Sequence, residues 1–140
     1  MTSVKALWQW LIGLVVGTVL IHITLILFGA TVIDDALRTA SAALIISALS
    51  IAPLSAARAD RSLGGWLRMV AHGQAQSNGE RRSLVGAGGA LAGAWTGAIL
   101  LPLDWGYSWL QWPLPPVYGA CLGHAFVVAP HLARQMMKEL

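Results

Sequence analysis

The sequence predicts an all-α polytopic membrane protein of four transmembrane helices, with both termini on the cytoplasmic side. Three observations predict it. Only 11 % of the 140 residues are charged while 56 % are hydrophobic, whereas soluble chains carry about 25 % charged residues. Mean hydropathy is +0.65. The apolar residues also gather into four runs, 6–30, 36–57, 83–103 and 114–133. A bilayer core roughly 30 Å thick needs about 20 such residues at 1.5 Å each, and these runs meet or approach that length. Arg38 is the only charged side chain inside them, and it lies near a helix end, where a long side chain reaches the headgroups. A soluble bundle would show a polar face every 3.6 residues, and these runs do not. The expected organisation is one transmembrane bundle over 1–140.

The first run opens with Lys5, Trp8 and Trp10, and the two tryptophans suit an interfacial belt. It is much longer than the 7–15 residues of a signal-peptide core and is read as a span. Gly13 and Gly17 stand four apart in it, and His22 is its polar side chain at depth. Asp34 and Asp35 follow, placed as carboxylates complementing the dipole of the next helix. The second run carries Ser41, Ser47, Ser50 and Ser55 on an Ala/Leu/Ile background, with Pro53 near its end. Such serines bond neighbouring carbonyls, and the proline is tolerated as a kink.

Residues 58–82 form the one long polar stretch, with five arginines (58, 61, 68, 81, 82) against Asp60 and Glu80. Residues 66–70 read as a short interfacial amphipathic helix. The stretch 73–79, with glycines at both ends, reads as mobile or as a tether. Basic residues mark the cytoplasmic ends of spans. Lys5, the five loop arginines, Arg134 and Lys138 fall on one side and Arg38 alone on the other, eight against one. Both termini and the 58–82 loop are therefore assigned to the cytoplasm, and the 104–113 loop to the lumen. The pI near 9.6 reflects a net charge of only +3, explained by these flanking arginines, so no nucleic-acid partner is expected. Cys121 is the single cysteine, inside the fourth run, and cannot form an intramolecular disulfide.

The third run holds Gly89, Gly93 and Gly97, a double small-xxx-small ridge, and the fourth holds Gly119 and Gly123 at the same spacing. Apolar helices gain little from hydrophobic burial when they meet inside lipid, so close approach over small residues drives their pairing. Helices three and four are expected to pair through this ridge, with docking on another subunit as its competing use. Trp95 stands out on the glycine-lined helix as a knob for a partner or lipid. The connection after it contains Asp104, Trp105, Tyr107, Trp109 and Trp112 between Pro102 and Pro113. Aromatic residues at headgroup level anchor a hairpin. Asp104, the only charge there, suits a cap, an indole N–H or a cationic group such as an ethanolamine amine. His22 and His124 are ionisable residues at depth, yet a neutral imidazole often only bonds a neighbouring carbonyl. No zinc-like spacing, nucleophile–base pair or phosphate loop is present, so neither cofactor nor metal is expected.

The third and fourth runs carry a resemblance. Gly93-Ala94-Trp95, Gly97-Ala98, Pro102-Leu103-Asp104-Trp105, Trp109, Trp112-Pro113 and Gly119-Ala120 followed by Gly123 resemble the C-terminal signature of the PIG-F family, stabilising subunits of GPI ethanolamine phosphate transferases. Fainter likenesses lie upstream in Phe28-Gly29-Ala30, 43–53 and Trp66-Leu67-Arg68. The likeness covers the last four of the six helices usual in that family. It departs after Trp109, where Leu110 stands in place of the family's glutamine and Gln111 follows. The resemblance implies a multi-pass endoplasmic-reticulum membrane subunit of GPI-anchor biosynthesis without catalytic activity of its own. Its partner would be the large catalytic transferase subunit, together with membrane lipids. Gly89, Gly93, Trp95, Gly97, Asp104, Trp105, Trp109, Trp112, Gly119 and Gly123 are then the candidate partner or lipid contacts. Two rival classes are a small lipid-headgroup enzyme using Asp104 with a histidine, and a transporter or scramblase component. For the latter the polar residues His22, Thr24, Ser47 and His124 make only a sparse path.

Overall fold

A computed structural model describes residues 2–58, 62–103 and 106–139. Among these described residues six α-helices follow in order: α1 Thr2–Leu27, α2 Ala36–Leu49, α3 Ile51–Ala57, α4 Leu63–His72, α5 Asn78–Ala98 and α6 Leu114–Glu139, with 3₁₀ turns at Leu101–Leu103 and Ser108–Leu110. No strand occurs among the described residues. Three stretches are long and apolar enough to cross a membrane: Ser3–Leu27, Ala36–Ala57 and Asn78–Leu103, with mean hydropathies of 2.4, 1.8 and 1.6. The expected fourth span lies within α6. That helix has 26 residues, but Pro115, Pro116, His124, Pro130 and His131 interrupt its apolar run, and it does not join the other three.

Local chemistry sets the boundaries. α1 ends in a glycine cap: Gly29 adopts φ +103, and the Ala30 and Gly29 N–H groups donate to the Leu25 and Ile26 carbonyls, the pattern of a Schellman motif. Asp35 stands at the N-cap of α2, but its side chain makes no capping bond; its carboxylate meets the Arg38 guanidinium at 3.4 Å instead. The expected single second helix is broken at Ser50, whose backbone turns to φ −117, ψ −78 between α2 and α3. Pro53 has no N–H to give the Leu49 carbonyl, and the Ser50 hydroxyl donates to the Ile46 carbonyl at 2.6 Å. The Ile46 carbonyl also accepts the Ser50 N–H at 3.0 Å, so backbone and side chain of Ser50 both tie the break back to α2.

The polar stretch departs from expectation. Residues 66–70 do form part of a helix, α4, capped by Ser62, which accepts from the Gly65 N–H at 3.0 Å. The segment read as mobile or tether-like joins α4 to α5 over residues 73–77, and 78–79 already belong to α5. Gly73 closes α4 at φ +63, and Ser77 caps α5 by accepting the Glu80 N–H at 3.1 Å. The Glu80 side chain is fully buried and accepts from the Gln76 N–H at 2.7 Å. α5 therefore starts at Asn78, five residues before the predicted 83.

α2 and α3 form the centre. α1 packs on both, α5 touches both, and α6 packs on α2 and, most extensively, on α5. The core is built of small residues: Ala42, Ala43, Ala52, Ala87, Ala90 and Ala120 are buried, and Ala43 and Ala120 cluster with Ile21 and Ile46. α1 contributes one narrow stripe, Gly13, Gly17 and Ile21, and its remaining surface is largely exposed and apolar.

Candidate functional site

The glycine ridge is the seam between α5 and α6. A Cβ at Gly93 would fall inside 3.0 Å of the Gly119 carbonyl, and one at Gly97 inside 3.0 Å of the Pro115 carbonyl. At Gly89 a Cβ would meet the Gly123 carbonyl at 2.6 Å, and the reciprocal positions Gly119 and Gly123 are equally closed by Gly93 and Gly89. Backbone meets backbone at all three glycines of α5, with the Val127 side chain also at 2.5 Å from a Cβ at Gly89, so moving side chains alone cannot make room. Between the two expected uses of the ridge, pairing with α6 takes all three α5 glycines. At its far end the His124 ring lies over Gly86, with Nδ1 3.1 Å from the Gly86 carbonyl oxygen. That polar group at depth is satisfied by the neighbouring helix. His22 differs: its Nδ1 is buried without a hydrogen-bond partner.

Trp95 lies away from this seam and is 65 % exposed. Leu91 and Ile99 are exposed along with it, one helical turn before and after it on the same face. Along the other flank of the seam runs an open apolar groove of about 760 Å³, bordered by Thr96 and Leu100 on α5, Tyr118, Leu122 and Phe126 on α6, and Trp109.

The aromatic connection divides into two parts. Trp109 is outward, 56 % exposed, and stacks on Tyr107 with ring centroids 5.9 Å apart. Trp112 is half-buried, and its indole Nε1–H donates to the hydroxyl of Thr39 on α2 at 3.0 Å. Leu110, where the resemblance would place glutamine, is 8 % exposed, so an apolar side chain suits that position, and the Gln111 amide stands exposed beside it. Asp104 and Trp105 lie outside the described residues.

The five glycines thus lie along one seam, while Trp95, Trp109 and Trp112 stand in three different settings. Sequence reasoning missed Thr39, which is fully buried and carries no motif, and Glu80. For Glu80 a signal existed, since Ser77-Asn78-Gly79-Glu80 has the S-x-x-E spacing of a capping box. Among the described residues no group of three or more His, Cys, Asp or Glu side chains is arranged to hold a metal.

A family model described as GPI biosynthesis protein family Pig-F matches residues 1–130. The chain is 32 % identical over 111 residues to a Homo sapiens protein named GPI ethanolamine phosphate transferase, stabilizing subunit, covering 78 % of this chain and 50 % of that one. It is 34 % identical over 115 residues to glycosylphosphatidylinositol anchor biosynthesis protein 11 of Pyricularia oryzae, covering 79 % and 40 %. A PIGF/3-ketodihydrosphingosine reductase fusion protein of Schizosaccharomyces pombe is 33 % identical over 114 residues, covering 81 % and 22 %. The chain thus spans about half or less of the length of these relatives. No solved structure matches it.

Proposed function

This chain belongs to the GPI biosynthesis protein family Pig-F, and we propose that it is a non-catalytic membrane subunit stabilising a GPI ethanolamine phosphate transferase. The observation that carries the proposal is the extent of the match. It runs through every helix from α1 to most of α6, so the whole bundle is what the family shares.

In this reading the protein resides in the endoplasmic-reticulum membrane and crosses it four times. The termini and the 58–82 segment are cytoplasmic, and the 104–113 connection is luminal. The eight-to-one distribution of basic residues supports that orientation. The pairing of α6 along α5 supports the fourth crossing, because a histidine whose Nδ1 faces a neighbouring carbonyl costs less in lipid than an unsatisfied one. With the ridge occupied by α6, the partner's transmembrane region meets the outward face around Trp95. The luminal connection, with Asp104, Trp105 and Trp109, lies beside the headgroup of a phospholipid or the GPI glycan.

Deleting the protein tests this directly: the abundance of the catalytic transferase subunit is expected to fall, and unchanged abundance would overturn the proposal. Co-purification in mild detergent refines it. Trp95→Ala leaves the packed seam untouched and is expected to reduce recovery of the transferase severalfold at equal expression of the variant. Undiminished recovery would move the partner contact off this face.

A further inference from the structure

α4 is folded with its apolar side outward. Gly65 and Met69 pack inward, Met69 with no exposed surface. Leu63, Leu67 and Val70 are 77 %, 56 % and 53 % exposed, and Ala71 is exposed beside them. At spacings of four, three and one, these four occupy one side of the helix.

The polar groups of the helix are turned the other way. Arg68 donates to the Gln74 carbonyl, and its Nη2 lies 3.7 Å from Oε1 of the fully buried Glu80. The Arg58 guanidinium sits over the Trp66 ring, 5.1 Å from its centroid. A soluble surface helix would do the reverse, exposing the arginine and burying the leucines. The buried ion pair fixes this orientation, because rolling α4 to hide its leucines would separate Arg68 from Glu80.

Position and charge say what covers the exposed side. α4 lies between the end of α3 and the start of α5, so the chain holds it close to the level where two apolar helices would leave the bilayer. The segment 58–82 has five arginines against two acids, 5 − 2 = +3, and Arg81 and Arg82 are exposed in the first turns of α5.

We infer that α4 is an interfacial anchor: Leu63, Leu67, Val70 and Ala71 insert at the headgroup–acyl boundary of an anionic leaflet, with Arg81 and Arg82 contacting its phosphates. A helix of this kind lies in the interface plane, held by its apolar face and by attraction to anionic lipid. The inference rests on the membrane-spanning reading and not on the identity of any partner subunit.

The test uses the full chain in lipid nanodiscs, with Cys121→Ser and one nitroxide-labelled cysteine at a time. Leu63→Cys, Leu67→Cys and Val70→Cys probe the face, and Gln74→Cys and Gln76→Cys probe the turn beyond it. Labels on the face are expected to relax severalfold more with lipid-soluble oxygen than with a water-soluble nickel chelate, and labels on the turn the reverse. Discs of phosphatidylcholine with phosphatidylglycerol are expected to deepen the face labels relative to phosphatidylcholine alone, and Arg81→Gln with Arg82→Gln to abolish that difference. Nickel access at all three face positions would overturn the anchor, as would shielding from both reagents, the signature of a protein contact. Equal depth in the two lipids would overturn its anionic preference. All five labelled sites are exposed, so the labels leave the packing around Met69 and Glu80 in place.

Discussion

The bundle contains two close helix pairs that solve the same problem differently. Where α1 meets α2 and α3, the glycines are on one side only. A Cβ at Gly13 would meet the Ser55 side chain at 2.5 Å, and one at Gly17 would collide with the Ser47 hydroxyl and with Ile51 Cβ at 2.8 Å. The Ser47 hydroxyl uses that approach to donate to the Leu14 carbonyl at 3.1 Å. Where α5 meets α6, glycines stand on both sides and the obstacles are carbonyl groups. The first seam is a side chain in a notch, the second is backbone on backbone. The serine hydroxyls of the first seam can rotate aside, leaving Ser55 Cβ and Ile51 Cβ as its fixed obstacles. Carbonyls inside a helix cannot rotate at all, so the first seam should tolerate change better than the second.

The largest effect expected is at the second seam. Gly93→Ala should cost about 2–3 kcal/mol, the upper range for overpacking, because a Gly119 carbonyl cannot move without shifting α6. Gly17→Ala should cost less, about 1–2 kcal/mol, since the Ser47 hydroxyl can turn aside and only Ile51 Cβ, at 2.8 Å, requires a small shift of α3. Unfolding of both variants in mixed detergent micelles measures the difference, and equal losses would remove the distinction between the seams. An intermediate effect is expected where the pairs are tied together. Trp112→Phe removes the donor to Thr39 and leaves a buried hydroxyl, a loss of about 1–1.5 kcal/mol. In a double-mutant cycle, Thr39→Val should recover part of it, and strict additivity would show that the bond contributes nothing. The smallest effect is Ser47→Ala, about 0.6 kcal/mol as for other hydrogen bonds between membrane helices. A loss as large as that at Gly93 would mean that the first seam depends on its hydroxyl and not on its notch.

The parts of this molecule legible in the sequence are those governed by period and composition. Gly89, Gly93 and Gly97 recur every four residues, as do Gly119 and Gly123, and that spacing alone puts them on facing stripes. Hydropathy located all four long segments, although the proline- and histidine-bearing α6 falls short of the other three. What could not be read depends on pairs far apart in the chain. Nothing in the sequence joins Trp112 to Thr39, 73 residues away, and that bond separates Trp112 from the exposed Trp109 although the two share a composition-rich stretch. Glu80 was read only as one of two acids among the arginines of 58–82, while its capping position and Arg68 draw the carboxylate inward. Ser50 shows the same limit: a proline three residues later announces a disturbance, but only the geometry places the break.

The Trp112–Thr39 bond has a mechanical consequence. The N-terminal helices and the α5–α6 pair are connected covalently only through residues 58–77, which follow the end of α3 and precede the start of α5. Thr39 lies in the first turn of α2 and Trp112 just before α6, at the opposite end of both pairs. With one end closed by the chain and the other by an indole hydrogen bond, the two halves resemble a hinged case with a clasp. Opening it like a book undoes the clasp along with the packing of α2 and α3 on α5 and α6, so a ligand gripping the 106–113 connection bears directly on one of the ties between the halves.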